Sequence, residues 1–266
     1  HPRVRRQRQM CIRDRYKINN FVETEGMIEK QRMIKDEEEI HSLIKACNIT
    51  DDCFSYILGY IKPGMTEKQI AHEIDEYYRE RTDGTSFDTI VASGENTSKP
   101  HAVPTEKKIE EEDIITIDMG CKVDGYCSDM TRTFFVGKVP EYIKPVYDLV
   151  LKNQEQALQE YKDGASTRQV TKMVENDFKL NGYDLIHSLG HGVGLEIHEP
   201  PYISSRSDTL LKENMIVTDE PGIYIPGKFG VRIEDTVQIT KFGCIKLTNS
   251  EKNYIVINAV SYTHLT

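Results

Sequence analysis

Hydrophobic positions recur along this chain at helical spacing in some stretches and at strand spacing in others, and the two kinds of stretch alternate in a repeating order. Asp36-Glu37-Glu38-Glu39 puts carboxylates where a helix N-terminus favours negative charge. Ile40, Leu43 and Ile44 follow at helical spacing, which predicts a helix running to about Ile61. Pro63-Gly64 predicts a turn. Thr66 with Gln69 three residues on forms a capping box, and Ile70, Ile74, Tyr77 and Tyr78 supply the buried stripe of a second helix. Composition then shifts to β-branched and aromatic residues, so that Phe87 to Ser93, Ile114 to Met119 and Tyr126 to Val136 read as strands. The rest of the chain repeats the order, with helices from Glu141 and Ser166 and strands near Met215 and Val231. Paired helices followed by strands, twice over, make an α+β fold rather than a βαβ series.

The repetition extends to individual residues. Pro63-Gly64-Met65-Thr66-Glu67-Lys68-Gln69-Ile70 aligns with Asp163-Gly164-Ala165-Ser166-Thr167-Arg168-Gln169-Val170 at a constant offset, and Ile74, Tyr78, Gly94 and Pro100 align with Val174, Phe178, Gly194 and Pro200. With small insertions the register reaches four acids: Ile117-Asp118-Met119-Gly120 answers Asp219-Glu220-Pro221-Gly222, and Asp129-Met130-Thr131 answers Glu234-Asp235-Thr236. Two related halves, each supplying two carboxylates, imply a pseudo-twofold site.

Those acids sit in unusual company. Asp118 ends an apolar run, Glu234 follows Val231-Arg232-Ile233, and Asp129 precedes Met130-Thr131-Arg132-Thr133-Phe134-Phe135. A carboxylate facing inward must be paired or must bind a cation, because its desolvation costs several kcal/mol or more. Asp124-Gly125 predicts a hairpin turn that returns Asp129 near Asp118, and the stretch from Pro221-Gly222 to Gly230 repeats the device between Glu220 and Glu234. His187, His191 and His198 lie in Ile186 to Pro201 among three glycines that allow close approach of a ligand. Their G-x-G-x-G spacing does not fit a dinucleotide fingerprint. His72 is followed by Glu73, but no second histidine completes a zinc-protease motif, and His72 is read as a helix-surface residue; His41 is given no role. Carboxylates with one imidazole suit Mn²⁺, Fe²⁺, Co²⁺ or Zn²⁺ better than Mg²⁺ alone, and a pair of such ions favours hydrolysis.

The 266 residues carry a net charge of −9, which argues against a nucleic-acid surface, and no apolar run is long enough to cross a bilayer. Six cysteines without CxxC spacing and without an apolar leader before them fit a reducing compartment, and a cytoplasmic location is expected. Residues 1–23 are basic and aperiodic, and residues 259–266 follow a natural stop after Tyr254-Ile255-Val256-Ile257. Both ends are expected to be non-native or linker sequence, with residues 24–258 forming one catalytic domain.

Lys99 to Pro104, the Asp118 and Asp129 segments, His187 to Pro201, Glu220-Pro221-Gly222-Ile223-Tyr224 and Val231-Arg232-Ile233-Glu234-Asp235 together resemble the Xaa-Pro peptidases, aminopeptidase P and prolidase among them. These belong to the pita-bread metallopeptidases. The resemblance covers about Glu23 to Ile257 and implies a pita-bread fold, two pseudo-symmetric halves of helices plus a curved antiparallel sheet. It also implies a dinuclear site, with Asp118 on one ion, His191 and Glu220 on the other, and Asp129 and Glu234 bridging both. Mn²⁺ is its first choice of metal, with Co²⁺, Zn²⁺ and Fe²⁺ behind it, and a metal-bridging hydroxide its nucleophile. By the same resemblance His101 and His198 contact the scissile peptide, Glu220 doubles as proton carrier, His187 lines the substrate pocket, and Arg232 orients a carboxylate partner as part of substrate binding.

The Glu-Pro-Gly-Ile-Tyr and Arg-Ile-Glu-Asp segments resemble the proline-specific branch, so the expected substrate is a peptide with proline in second position, or an Xaa-Pro dipeptide. No nucleic acid or membrane partner is expected. A homodimer is left open, because the N-terminal domain common in these peptidases, which often shapes the subunit contact, is missing. Asp219 beside Glu220 departs from the apolar residue more usual there. The competing readings are a methionine aminopeptidase and a binding module that kept the fold without catalysis.

Overall fold

The computed structural model describes Arg15 and residues 24–257, so the expectations for the two ends fall almost wholly outside the described residues. The first half contains α1 (Met27–Met33), α2 (Glu37–Tyr60), α3 (Glu67–Arg81), β1 (Ile90–Ser93), a 3₁₀ turn (Gly94–Ser98), β2 (Ile114–Met119), β3 (Lys122–Val123), β4 (Tyr126–Cys127) and β5 (Met130–Val136). The second half contains α4 (Lys144–Glu160), α5 (Thr167–Leu180), β6 (Gly190–Gly192), β7 (Glu199–Ile203), β8 (Ile216–Asp219), β9 (Gly222–Ile225), β10 (Phe229–Arg232), β11 (Asp235–Ile239), β12 (Cys244–Lys246) and β13 (Val256–Ile257). None of the described helices is long and apolar enough to cross a membrane.

The helices form where capping and periodicity place them. Asp36 caps α2 and Thr66 caps α3, each with a reciprocal bond from the third helical residue, so both predicted starts hold. The α2 stripe, Leu43, Ala46, Cys47, Phe54 and Ile57, is fully buried. Helix α4 begins at Lys144 rather than Glu141, with Pro145 in its first turn, where a missing N–H costs no hydrogen bond.

Three strands of each half pair in the same order, β1-β2-β5 in one sheet and β6-β8-β11 in the other. The repeat also reappears in hydrogen bonds. Gly64 N donates to Ile109 O and Gly164 N to Leu211 O, each at 2.8 Å, and Ile109 N and Leu211 N return to Met65 O and Ala165 O at 2.8 Å. Both glycines have positive φ, 91° and 84°, which a side chain would strain. One core packs α2 and α3 residues such as Phe54, Ile57, Ile70 and Ile74 against Ile115, Ile117 and Phe134. The other packs α4 and α5 residues such as Val150, Ala157, Val174 and Phe178 against Val217, Val231 and Val237.

Two strand predictions change in extent. Phe87 to Ser93 shortens to β1, because Phe87, Asp88 and Thr89 leave the sheet to line a cavity. Tyr126 to Val136 splits into β4 and β5, because the Ser128 hydroxyl binds across to Cys121 N and O and interrupts the strand at Ser128-Asp129. Asp124 and Gly125 both take positive φ, 53° and 82°, the geometry of a two-residue hairpin loop, so the predicted return of Asp129 toward Asp118 occurs. The β9–β10 hairpin turns at Gly227, φ 71°, and does the same for the Glu220–Glu234 segment.

Candidate metal centre

Residues at strand ends in both halves converge on one cavity of roughly 530 Å³. Asp118 lies on β2, Asp129 just before β5, His191 in the middle of β6, Glu220 just after β8, and Glu234 between β10 and β11. Ligand atoms of Asp129, His191 and Glu234 all lie within 4.8 Å of one another, and all three residues are buried. His191 Nε2 stands 3.4 Å from Asp129 Oδ2 and 3.5 Å from Glu220 Oε1. Asp118 faces the same cavity, and its Oδ1 is buried without a hydrogen-bond partner.

The protonation pattern shows what this cluster lacks. His191 Nδ1 lies 3.1 Å from Gly192 O, so that nitrogen carries the proton and donates to the carbonyl. Burial, then neighbouring His198, lowers the His191 pKa to about 4, so the ring is neutral and Nε2 presents a bare lone pair to two carboxylates. Burial also pushes Asp129 and Glu234 well above the usual carboxylate range, reinforced for both by Asp118 and Glu220 and for Asp129 by Glu234 as well. Burial and Asp118 push Glu220 to about 8 against the pull of Arg232. Lone pairs facing one another at these distances are repulsive unless protons or cations lie between them. Oxygen-rich donors with one imidazole nitrogen, its other nitrogen fixed by a backbone carbonyl, are the donor set of a borderline divalent-ion site. The residues therefore fit the expected metal.

Arg232 is 4% exposed and directs its guanidinium into the protein. Nη2 donates to Asp118 Oδ2 at 2.6 Å, Nη1 to Tyr224 Oη at 2.8 Å and Pro100 O at 3.0 Å, and Nε to Thr131 Oγ1 at 3.0 Å. It lines the cavity, and the carboxylate it holds is that of Asp118. Thr131 passes the contact on, its hydroxyl donating to Glu234 Oε2 at 2.7 Å. The sequence reading assigned no role to Thr131 or Tyr224. Tyr224 lies in the Glu220 to Tyr224 segment, and only the fold brings its hydroxyl to both Arg232 and His187.

His187 Nδ1 donates to Ser188 O at 2.7 Å, which leaves Nε2 to accept from Tyr224 Oη at 3.0 Å. Burial, then Arg232, lowers its pKa to about 4. His198 stacks at a tilt on His191, ring centroids 4.3 Å apart, and remains open to the cavity. His101 is exposed and lines the same cavity, in the loop of Pro100, Val103 and Pro104. His72 and His41 are exposed on helices and lie outside the cavity.

Asp219 turns away from this centre. It is fully buried, accepts from Tyr161 Oη at 3.4 Å, and leaves Oδ2 without a partner. Burial, then nearby Asp235, pushes its pKa well up, which favours the neutral acid in the core.

Residues 41–241 match the model of metallopeptidase family M24. The chain is 42% identical over 233 residues to the uncharacterized peptidase YqhT of Bacillus subtilis (strain 168), covering 86% of this chain and 66% of that protein. It is 40% identical over 249 residues to the Xaa-Pro dipeptidase of Pyrococcus furiosus, covering 92% and 71%. The solved X-Pro aminopeptidase from Thermotoga maritima MSB8 superposes with a TM-score of 0.88 at 38% identity, over 93% of this chain and 71% of that one. Prolidase from Pyrococcus furiosus gives 0.86 at 40% identity, over 92% and 74%. The chain thus spans about two thirds to three quarters of these relatives, and its fold is the pita-bread fold.

Proposed function

The chain belongs to metallopeptidase family M24, and on that premise we propose that it hydrolyses the Xaa-Pro bond at the N-terminus of peptides or in Xaa-Pro dipeptides. One observation carries the hydrolytic part: a neutral His191 with its Nε2 lone pair facing Asp129 and Glu220 in a cavity open to substrate. Proline specificity is supported by the relatives named Xaa-Pro dipeptidase and X-Pro aminopeptidase.

Asp118, Asp129, His191, Glu220 and Glu234 would hold two divalent ions, Mn²⁺ first. When bound, the ions supply Lewis acidity and acidify the attacking water. Arg232 holds Asp118 in place and, through Thr131, fixes Glu234, so both sides of the cluster are set before substrate arrives. Glu220, as the ionised carboxylate, takes a proton from the attacking water and gives it to the departing proline nitrogen. His101 and His198, both lining the cavity, contact the scissile peptide and stabilise the tetrahedral intermediate or shuttle protons; His187, held by Tyr224, bounds the pocket. The proline nitrogen carries no N–H, so recognition falls to ring shape, and an apolar wall of Phe87, Ile90, Val103 and Ile197 suits it.

The test is a panel of Xaa-Pro, Xaa-Pro-Yaa and Met-Ala-Yaa peptides after reconstitution with Mn²⁺. Cleavage before proline is expected. Preferential cleavage of Met-Ala would transfer the chain to the methionine aminopeptidase reading, and folded, metal-loaded protein inert on the whole panel would transfer it to the binding-module reading.

A further inference from the structure

Glu199 follows His198 directly, yet its carboxylate is buried away from the cavity. It is 3% exposed, and the group that meets it, Lys35, is 2% exposed, with Nζ 2.8 Å from Oε1. Arg32 Nη2 donates to the other oxygen, Oε2, while its Nη1 reaches Glu196 Oε1 at 3.4 Å. The loop from Gly192 to His198 is wrapped around this carboxylate. Gly194 N donates to Glu196 O at 3.1 Å, and Glu196 N approaches Glu199 Oε2 at 3.5 Å. A Cβ on Gly194 would lie 2.5 Å from Glu199 Oε1, so the loop is seated against the carboxylate with no room for a side chain. Glu199 opens β7 and meets Lys35, while His198, in the bend just before it, packs against His191 and lines the cavity.

Both cations come from outside the family-matched segment, which begins at residue 41. Arg32 belongs to α1, a helix with no buried residue of its own, and Lys35 is held by its backbone, whose N–H donates to Asn214 O at 3.0 Å. A buried carboxylate without a cation would draw water or a proton inward and reshape the loop around it.

We propose that Arg32 and Lys35 are positioning residues for the active site, acting through Glu199 to set the Gly192–His198 loop and thereby the imidazole of His198. This rests on the functional reading above in one respect, that His198 meets the substrate.

The experiment compares Lys35→Met, Arg32→Met, His198→Ala and Lys35→Met/His198→Ala in the full chain loaded with Mn²⁺. For Lys35→Met, kcat on an Xaa-Pro peptide is expected to fall about tenfold, part of the ~10²–10⁴ a positioned proton-transfer group supplies, while KM changes less than about threefold. Combined with His198→Ala, Lys35→Met is expected to cost little more, because both changes remove one function. Losses that multiply in the double variant, or a kcat within about twofold of the parent, overturn the proposal. A readout independent of turnover uses imidazole ¹⁵N NMR of metal-free protein. The His198 signals are expected to move in Lys35→Met while those of exposed His72 stay in place, and unmoved His198 signals overturn the proposal. If His198→Ala leaves kcat unchanged, the role given to His198 fails, and the NMR comparison decides the positioning claim alone. If Lys35→Met does not fold, Arg32→Met, which removes the more exposed partner, is read in the same two ways.

Discussion

Glu67→Gln tests how a charge with no cation beside it is held inside this fold. Glu67 is the first residue of α3 and is fully buried, yet its partners are all neutral donors. Oε1 accepts from Ser93 N at 2.7 Å, Ser93 Oγ at 2.8 Å and Asn96 Nδ2 at 3.1 Å. Oε2 accepts from Thr105 N at 3.0 Å, Thr105 Oγ1 at 2.6 Å and Asn96 Nδ2 at 3.2 Å. The carboxylate thus ties the helix to both ends of the loop that carries His101 and the Pro100–Pro104 wall. A glutamine keeps one accepting oxygen and turns an NH₂ toward the donors on the other side. The two hydroxyls can rotate, but one backbone N–H is left facing a donor, at about 1–3 kcal/mol, and the surviving bonds lose their charge assistance. The expected loss is about 3 kcal/mol, read as a lower urea midpoint at unchanged m-value. Burial alone would raise the pKa of Glu67, but the bonds from Thr105, Asn96 and Ser93 outweigh it and hold the group below its ordinary 4.5. With a depressed folded pKa, the contribution is complete above the ordinary value and is lost as pH falls through the folded one. The gap between parent and variant should therefore be widest above pH 4.5 and narrow below it. A difference under about 1 kcal/mol at neutral pH, or one that grows on acidification, would refute the reasoning.

Other outcomes follow from the same structure. Asp129→Asn should abolish hydrolysis while circular dichroism shows a folded chain, and retained turnover would contradict its place at the centre. For metal-free protein, the raised pKa values of Asp129, Glu220 and Glu234 mean stability is complete at acid pH and declines as pH rises through the Glu220 value of about 8. The chelator-treated Tm should therefore fall between about pH 5.5 and about pH 8.5, and saturating Mn²⁺ should raise Tm more at the higher pH; equal increments would count against a carboxylate-rich metal site. Asp219→Asn should change stability by less than about 1 kcal/mol in urea titrations, because the buried carboxyl is already neutral; a loss above about 3 kcal/mol would mean it is ionised.

The helical stripes, the capping box at Thr66, the hairpin at Asp124-Gly125 and the internal repeat were legible in the chain because each depends on residues close in sequence. The acids were legible because a carboxylate beside β-branched residues stands out against the ordinary pattern. Short-range signals failed where a distant contact decided the outcome. Ser128 breaks the strand at Asp129 only because Cys121 lies across from it. The partners of the Arg232 donors, Asp118, Pro100 and Thr131, lie on three other segments and are set only by the fold. Glu67 in the first turn of a helix and Lys35 before one carry no sequence signal of burial, since helix periodicity marks apolar faces and is silent on desolvated ions.

By itself the sequence determined the element order, the twofold plan and the set of acids that need a cation. Only the tertiary structure decided which charges are stripped of water and what compensates them. Glu199 and Lys35 are 164 positions apart, and Arg232 and Asp118 are 114 apart. The energy of such a pair depends on separation and local dielectric, and neither quantity exists until the chain has folded.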